Sequence, residues 1–257
     1  APVVFGKEAK RATAGVLVLS ATLWFLPALH ARMSSESLSG SLVLLAACTA
    51  YLWRVSPRSS IFVGVLLGAA FNVRYQTAFM SLGLLAWMFW QAPRAVRVCS
   101  MAAVVLAGAT LVGIGLLIDR WGYGEWTLTT WRYFNYNIVQ GRVAIEDTSP
   151  WWDYYRRALT ESFPGLGFVV LLALPIAWLG FPRSVFTWTA APLVLAHLLI
   201  GHKELRFLFP ALMAAPLFLV QAWLTLGRAG KPLARTPRGL VWAAMWFNIL
   251  ALAVTTF

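Results

Sequence analysis

Acidic side chains are scarce in this chain: nine Asp and Glu stand against 21 Lys and Arg, a formal net charge of +12. In a soluble protein that excess would suggest a nucleic-acid partner. Here the basic residues sit mostly in short loops between apolar runs, where membrane topology is the simpler cause, and no nucleic acid is expected as a partner. Cysteine is nearly absent, and Cys48 and Cys99 both fall inside apolar runs. That makes them small buried residues by expectation and implies no disulfide. Three histidines, His30, His197 and His202, are scattered, and there is no paired D-x-D acid motif. The ligand spacing of a metal site is therefore missing, and neither a metal nor a cofactor is expected. There is no internal repeat and no low-complexity segment. Lys7, Lys10 and Arg11 precede an apolar run, but no small-residue cleavage site follows it, so these residues are not expected to form a signal peptide.

What fills the chain is hydrophobic sequence. Sixty per cent of the residues are hydrophobic and the mean hydropathy is +0.71, far above a soluble domain. The expected class is an all-α, polytopic helical membrane protein: one transmembrane domain over residues 1–257, with no soluble domain appended. Apolar runs predict helices near 13–30, 39–53, 60–72, 75–90, 98–118, 166–181, 185–200, 205–225 and 239–257. Several are shorter than the ~20 residues of a perpendicular span. Asn72, Arg74 and Gln76 interrupt the pair 60–72 and 75–90, which reads either as a re-entrant hairpin or as two short tilted helices.

Charge bias orients these runs. With the N-terminus in the cytoplasm, 12 of the 21 Lys and Arg fall inside, Arg74 lies within the membrane, and eight fall outside. Of the nine acids, only Glu8 is then inside. An external loop at 119–165 and the turn at 201–204 share one face, and residues 227–238 (GRAGKPLARTPR in its basic core) become a cytoplasmic linker that sets topology.

The loop is where polar chemistry collects. Between Asp119 and Arg157 lie five of the nine acids (Asp119, Glu125, Glu146, Asp147, Asp153) and five Trp (Trp121, Trp126, Trp131, Trp151, Trp152). An interfacial aromatic belt accounts for Trp121 and Trp151 but not for the acids beside them. Carboxylates can move protons, aromatic faces can hold sugar rings, and Arg can bind phosphate. Asp119 ends a helix, where it is either a site residue or a cap. Glu146 and Asp147 adjoin a Thr-Ser-Pro turn, where Asp is a common turn former. Residues 150–165 look amphipathic, either guiding a lipid headgroup or serving as an anchor. A second polar stretch, GHKELRFLFP at 201–210, sits between two apolar runs. It reads as a solvated turn or as a phosphate clamp, with Lys203 and Arg206 as cations and His202 as a hydrogen-bonding or proton-transfer group. Arg74 is a third candidate cation, because an Arg in a membrane run is costly; snorkelling or a carbonyl partner is the plainer account. His197 reads as a satisfied core histidine, and Gly64 with Gly68 as a close helix contact.

The stretch GHKELRFLFP resembles the HKE-x-RF-x-x-P signature of the family 22 glycosyltransferases, the polyprenyl-phosphate-mannose mannosyltransferases of N-glycan and GPI-anchor assembly with their bacterial relatives. The loop resembles the same family through Asp119, Tyr123-Gly124 and Trp126, then Asn137, Gly141, and Ser149-Pro150-Trp151 with Tyr154-Tyr155. The resemblance covers most of the chain from about residue 12 onward. It implies a GT-C-type membrane fold and an inverting α-mannosyltransferase with a polyprenyl-phosphate sugar donor, a glycan or glycolipid acceptor and membrane lipids around it. Its site would face the extracytoplasmic side of the inner membrane in a bacterium, or lie in the endoplasmic reticulum membrane of a eukaryote. It also implies donor-phosphate binding by Lys203, Arg206 and Arg74, in a site formed with His202, Glu204, Asp119, Tyr123, Trp126, Asn137 and Trp151. Such enzymes carry the catalytic base in an acidic motif of the first external loop. The short turn at Arg32–Ser37 holds Glu36 but not that motif, and the chain starts with Ala rather than Met. The expectation is that the N-terminal part is missing from this sequence, so the catalytic residue is unknown and the piece alone is not a competent catalyst. Two other readings are a lipid-linked saccharide flippase, disfavoured because the polar residues gather at one face, and a non-catalytic membrane scaffold.

Overall fold

The computed structural model of the chain describes residues 7–32, 34–142, 148–163, 165–228 and 246–254, and among these there is no strand. The helices are α1 (Lys7–Thr22), α2 (Leu26–Ala31), α3 (Ser35–Leu52), α4 (Pro57–Val73), α5 (Thr77–Gln91), α6 (Arg97–Tyr123), α7 (Thr129–Phe134), α8 (Asp153–Thr160), α9 (Leu166–Gly180), α10 (Val185–Leu199), α11 (Phe209–Leu212), α12 (Ala215–Arg228) and α13 over 246–254. Among the described residues, α3 and α6 are long and apolar enough to cross a membrane, and α4, α9 and α10 are shorter apolar helices.

Proline explains where the structure departs from the apolar runs. The run at 13–30 is broken, because α1 ends at Thr22 and α2 restarts with Pro27 in its first turn. A Pro there gives up only an N–H that a helix start leaves unbonded anyway. The run at 205–225 is divided into a 3₁₀ turn (Leu205–Leu208), α11 and α12, with Pro210 and Pro216 close to the starts of the two helices. Residues 60–72 and 75–90 become two separate helices, α4 and α5. Arg74 is not inside a run but is the extended residue that closes α4. The segment 119–165 is partly helical: α6 continues to Tyr123, α7 runs into a π turn at Asn135–Val139, and α8 follows. Of the predicted helix at 239–257 only α13 is described, and linker residues 229–238 lie outside the described residues.

The described chain divides into two compact units. One comprises Ser34–Tyr154 and Arg183–Leu212. Within it α4 packs on α3 and α6, and α5 packs on α10. The seam between α4 and α6 is built from small residues. A Cβ at Gly68 would stand 2.6 Å from the carbonyl oxygen of Gly108 and 2.7 Å from Leu111 Cβ, so only glycine permits that approach. Apart from this seam α6 is bare: only 6% of its most apolar window is buried, as expected of a helix facing lipid. Cys99 on α6 is exposed and Cys48 on α3 is half-buried, which corrects the expectation that both are buried; both are free thiols. The other unit comprises Ala1–Met33, Tyr155–Pro182 and Met213–Phe257. In it α12 packs on α9 and on α1. Asn248 of α13 ties the end of α1, its Oδ1 accepting from Trp24 N–H at 3.1 Å and its Nδ2 donating to the Thr22 carbonyl at 2.5 Å.

Candidate active site

Three separate stretches of the first unit bring charged side chains together. Ser34 caps α3 by accepting from the Ser37 amide at 3.1 Å, and this places Glu36 in the first turn, where a carboxylate complements the helix dipole. Arg74, freed from helix geometry at the end of α4, donates from Nη1 to Glu36 Oε1 at 2.7 Å and to Ser35 Oγ at 3.0 Å. Both charged side chains are 11% exposed, so this is a largely buried ion pair. The third stretch is the signature itself. Glu204, extended, precedes the 3₁₀ turn. It accepts from His202 Nε2 at 2.9 Å and pairs with the guanidinium of Arg206, whose side chain is 60% exposed. Burial works against the charge on Glu204. The hydrogen bonds and positive charges of Arg206 and His202 outweigh it and hold the carboxyl below its ordinary value.

Phe207 joins the two clusters. Its ring centroid lies 5.7 Å from Arg74 Cζ and 5.8 Å from Arg206 Cζ, within cation–π range of both. Next to Arg74, Tyr75 contacts Tyr133 and Phe134 of α7 at 5.7 and 5.6 Å between ring centroids. Two polar atoms in this group, Arg74 Nε and His202 Nδ1, are buried and find no hydrogen-bond partner among the described residues. Glu204 holds Nε2 of His202 at 2.9 Å, which leaves Nδ1 as the ring nitrogen open to a ligand. Unsatisfied buried groups of this kind are uncommon and mark a place for a ligand or water.

Lys203 departs from expectation. It is 1% exposed, and its ammonium donates to the carbonyls of His197 at 3.1 Å, Leu198 at 3.0 Å and Ile200. These are orphan carbonyls at the end of α10, so Lys203 acts as a buried C-terminal cap and is not presented to a phosphate. Burial pushes its pKa down, and the charge of Asp153 opposes part of that shift. Its Nζ also lies 5.6 Å from the Tyr154 ring centroid, and Ser149 N–H donates to the Gly201 carbonyl at 2.9 Å. The end of the large loop and the signature therefore meet at one end of this unit. His197 is a core residue, 2% exposed, with Nδ1 2.9 Å from the Leu193 carbonyl.

The remaining predicted site residues make other contacts. Asp119 Oδ2 accepts from the Thr129 amide at 2.7 Å, a clip between the end of α6 and the start of α7. Trp126 lies under Arg120 at 5.8 Å, and Asn137 Nδ2 donates to the Tyr133 carbonyl at 2.9 Å. Tyr123 and Trp151 are exposed, at 63% and 61%. Glu146 and Asp147 lie outside the described residues. Glu36 and Phe207 were not singled out as site residues. The signal for Glu36 was topological: the charge bias sets its turn and the far end of α4 on the same face. Among the described residues no three His, Cys, Asp or Glu side chains group as a metal site requires.

Comparison with known proteins bears on this arrangement. The chain is 25% identical over 191 residues to GPI alpha-1,2-mannosyltransferase 3 of Bos taurus, a match covering 74% of this chain and 34% of that protein. It is 28% identical over 153 residues to GPI mannosyltransferase 3 of Aspergillus fumigatus, covering 52% and 18%. A probable Dol-P-Man:Man(7)GlcNAc(2)-PP-Dol alpha-1,6-mannosyltransferase of Schizosaccharomyces pombe is 24% identical over 199 residues, covering 67% and 35%. The chain thus spans about a third, or less, of the length of these curated relatives. No solved structure matches it. The family model described as Alg9-like mannosyltransferase family matches residues 2–257, and the chain belongs to that family.

Proposed function

We propose that this chain is part of an integral-membrane mannosyltransferase of GT-C type. It takes mannose from a polyprenyl phosphate and passes it, with inversion, to a glycan or glycolipid acceptor on the extracytoplasmic face. The observation that carries this reading is the shared ring of Phe207 with Arg74 and Arg206 beside it and two unsatisfied polar atoms, Arg74 Nε and His202 Nδ1, in the same group. Family membership and the donor in the fission-yeast relative's name point the same way.

The chemistry asks for little more from these residues. As the acceptor oxygen attacks the anomeric carbon, the bond to the lipid phosphate breaks and positive charge grows on the sugar ring. Phosphate is a good leaving group, so no general acid is needed, but its charge calls for fixed cations. Arg74 is held in place by Glu36, while Arg206 is exposed and can reach a ligand. Lys203 holds the end of α10 and so sets the course of the loop that carries both His202 and Arg206. Glu36 and Glu204 serve as counter-ions to these cations. Segment 119–165 stands on the external side and linker 227–238 on the cytoplasmic side.

Purified full-length protein given radiolabelled polyprenyl-phosphate mannose and an acceptor glycolipid tests the proposal. Arg206→Ala should raise the KM for donor about tenfold or more, the scale of one lost charge-assisted hydrogen bond. Unchanged donor kinetics in both Arg206→Ala and Arg74→Lys would remove the clamp from the reading.

A further inference from the structure

The unit that holds α1, α9, α12 and α13 contains a cavity of about 550 Å³. One wall is α1 from Arg11 to Thr22, about 17 Å of helix at 1.5 Å per residue. Leu19, Val170, Val220, Trp223 and Ile249 make up much of the rest. Val18, Val169 and Trp223 line the cavity and are 43%, 54% and 47% exposed, so it is a groove open at the surface. At its narrow side Gly15 backs onto α12, where a Cβ would already stand 3.3 Å from Val220 Cγ2.

Two physical features limit what can occupy this groove. Its long wall is apolar between the two ends, which suits a hydrocarbon chain running along it and offers nothing to a polar ligand. Polar chemistry is confined to the two ends. At one, Asn248 is bonded to Trp24 N–H and the Thr22 carbonyl, and Thr22 Oγ1 donates to the Val18 carbonyl at 2.8 Å, which leaves them little to offer a ligand. At the other, Arg11 is the one charged lining residue, exposed and paired with no carboxylate among the described side chains. The positive-inside bias puts that end in the cytoplasmic leaflet, whose lipids are anionic.

We infer that the groove binds one acyl chain of an anionic phospholipid of the cytoplasmic leaflet, with the lipid phosphate at Arg11. The sugar donor is a different ligand: its phosphate belongs on the external face, and Arg11 marks the other end of the span.

The test uses full-length protein in lipid nanodiscs with phosphatidylglycerol that carries a photoactivatable diazirine near the end of one acyl chain. Crosslinks mapped by mass spectrometry should concentrate on α1 and α12. Unlabelled phosphatidylglycerol should compete and phosphatidylcholine should not. Arg11→Glu, at an exposed position, should lower labelling about tenfold, the effect of reversing one charge against an anionic headgroup. Leu19→Trp, which fills the groove, should abolish it, and if that variant does not fold, Arg11→Glu alone decides. Equal competition by phosphatidylcholine, crosslinks spread evenly over lipid-facing helices such as α6, or displacement by polyprenyl phosphate alone would each overturn the inference. Mannosyl transfer measured on the wild-type nanodiscs keeps the two readings apart: no transfer in a sample whose labelling is competed by phosphatidylglycerol would count against the function proposed above and leave the lipid site standing, whereas unchanged labelling in Arg11→Glu overturns the lipid site alone.

Discussion

Glu36 and Arg74 bury opposite charges against each other, and such a pair punishes the loss of one partner more than the loss of both. Glu36→Ala leaves a guanidinium buried without its carboxylate and should destabilise by about 3 kcal/mol. The double variant Glu36→Ala/Arg74→Met should recover part of that, read as thermal unfolding in detergent across a double-mutant cycle. A cycle with no coupling between the two positions would show that the 2.7 Å contact contributes nothing to stability. Glu204 supports a prediction about pH. Its carboxyl pKa is lower folded than unfolded, so the folded state binds fewer protons and stability should rise with pH through the window between the two values. The contribution is complete above the ordinary carboxylate value of about 4.3 and is lost as pH falls through the lowered one. The unfolding temperatures of the wild type and Glu204→Gln should therefore differ at neutral pH and converge in acid. Convergence failing to appear would mean that Arg206 and His202 do not hold the charge. Lys203 belongs at this scale too: beside a turn, a lysine reads as a free cation, and the carbonyls that claim it become visible only once the end of α10 is in place. Lys203→Met should cost about 1–3 kcal/mol through those unsatisfied carbonyls, measured by the same unfolding assay.

Among the elements, the α4–α6 seam tolerates little. Gly68→Val drives a side chain into the Gly108 backbone, which cannot give way as a flexible side chain would. It should cost more than 2 kcal/mol by forcing the helices apart, whereas a valine at Gly113, which meets nothing within 4 Å, should change the unfolding temperature little. The helices themselves were legible in the sequence, because an apolar run and the positions of Gly64 and Gly68 carry most of the information. Their breaks were not. Counting hydrophobic residues does not register that Pro27, Pro210 and Pro216 lack an N–H, and so two runs that read as single spans are interrupted. His202, Glu204 and Arg206 stood out in the sequence as a polar cluster between two apolar runs, and the structure brings the three side chains into contact. Glu36 was passed over because its partner is 38 residues away, a separation that no local pattern reports.

For the whole molecule, the decisive quantity is which side of the bilayer each loop occupies. Charge bias assigns Glu125 to the outside and Ser56 to the cytoplasm. In a background of Cys48→Ser and Cys99→Ser, a membrane-impermeant maleimide added to sealed, right-side-out vesicles should label Glu125→Cys and spare Ser56→Cys until the vesicles are opened. The reverse pattern would move the proposed chemistry to the cytoplasmic leaflet. One further property follows from how little of α6 is held. Its grip on α4 runs from Val104 to Gly115, where Asn72 of α4 packs and donates to the Leu111 carbonyl at 2.7 Å, and beyond Gly115 it continues to Tyr123, a reach of about 12 Å at 1.5 Å per residue. Asp119 fastens α7 to that far end, so the helix works as a lever: a bend of about 10° beyond Gly115 would sweep its tip by roughly 2 Å over that reach, enough to loosen the ring contact of Tyr133 with Tyr75, the neighbour of Arg74.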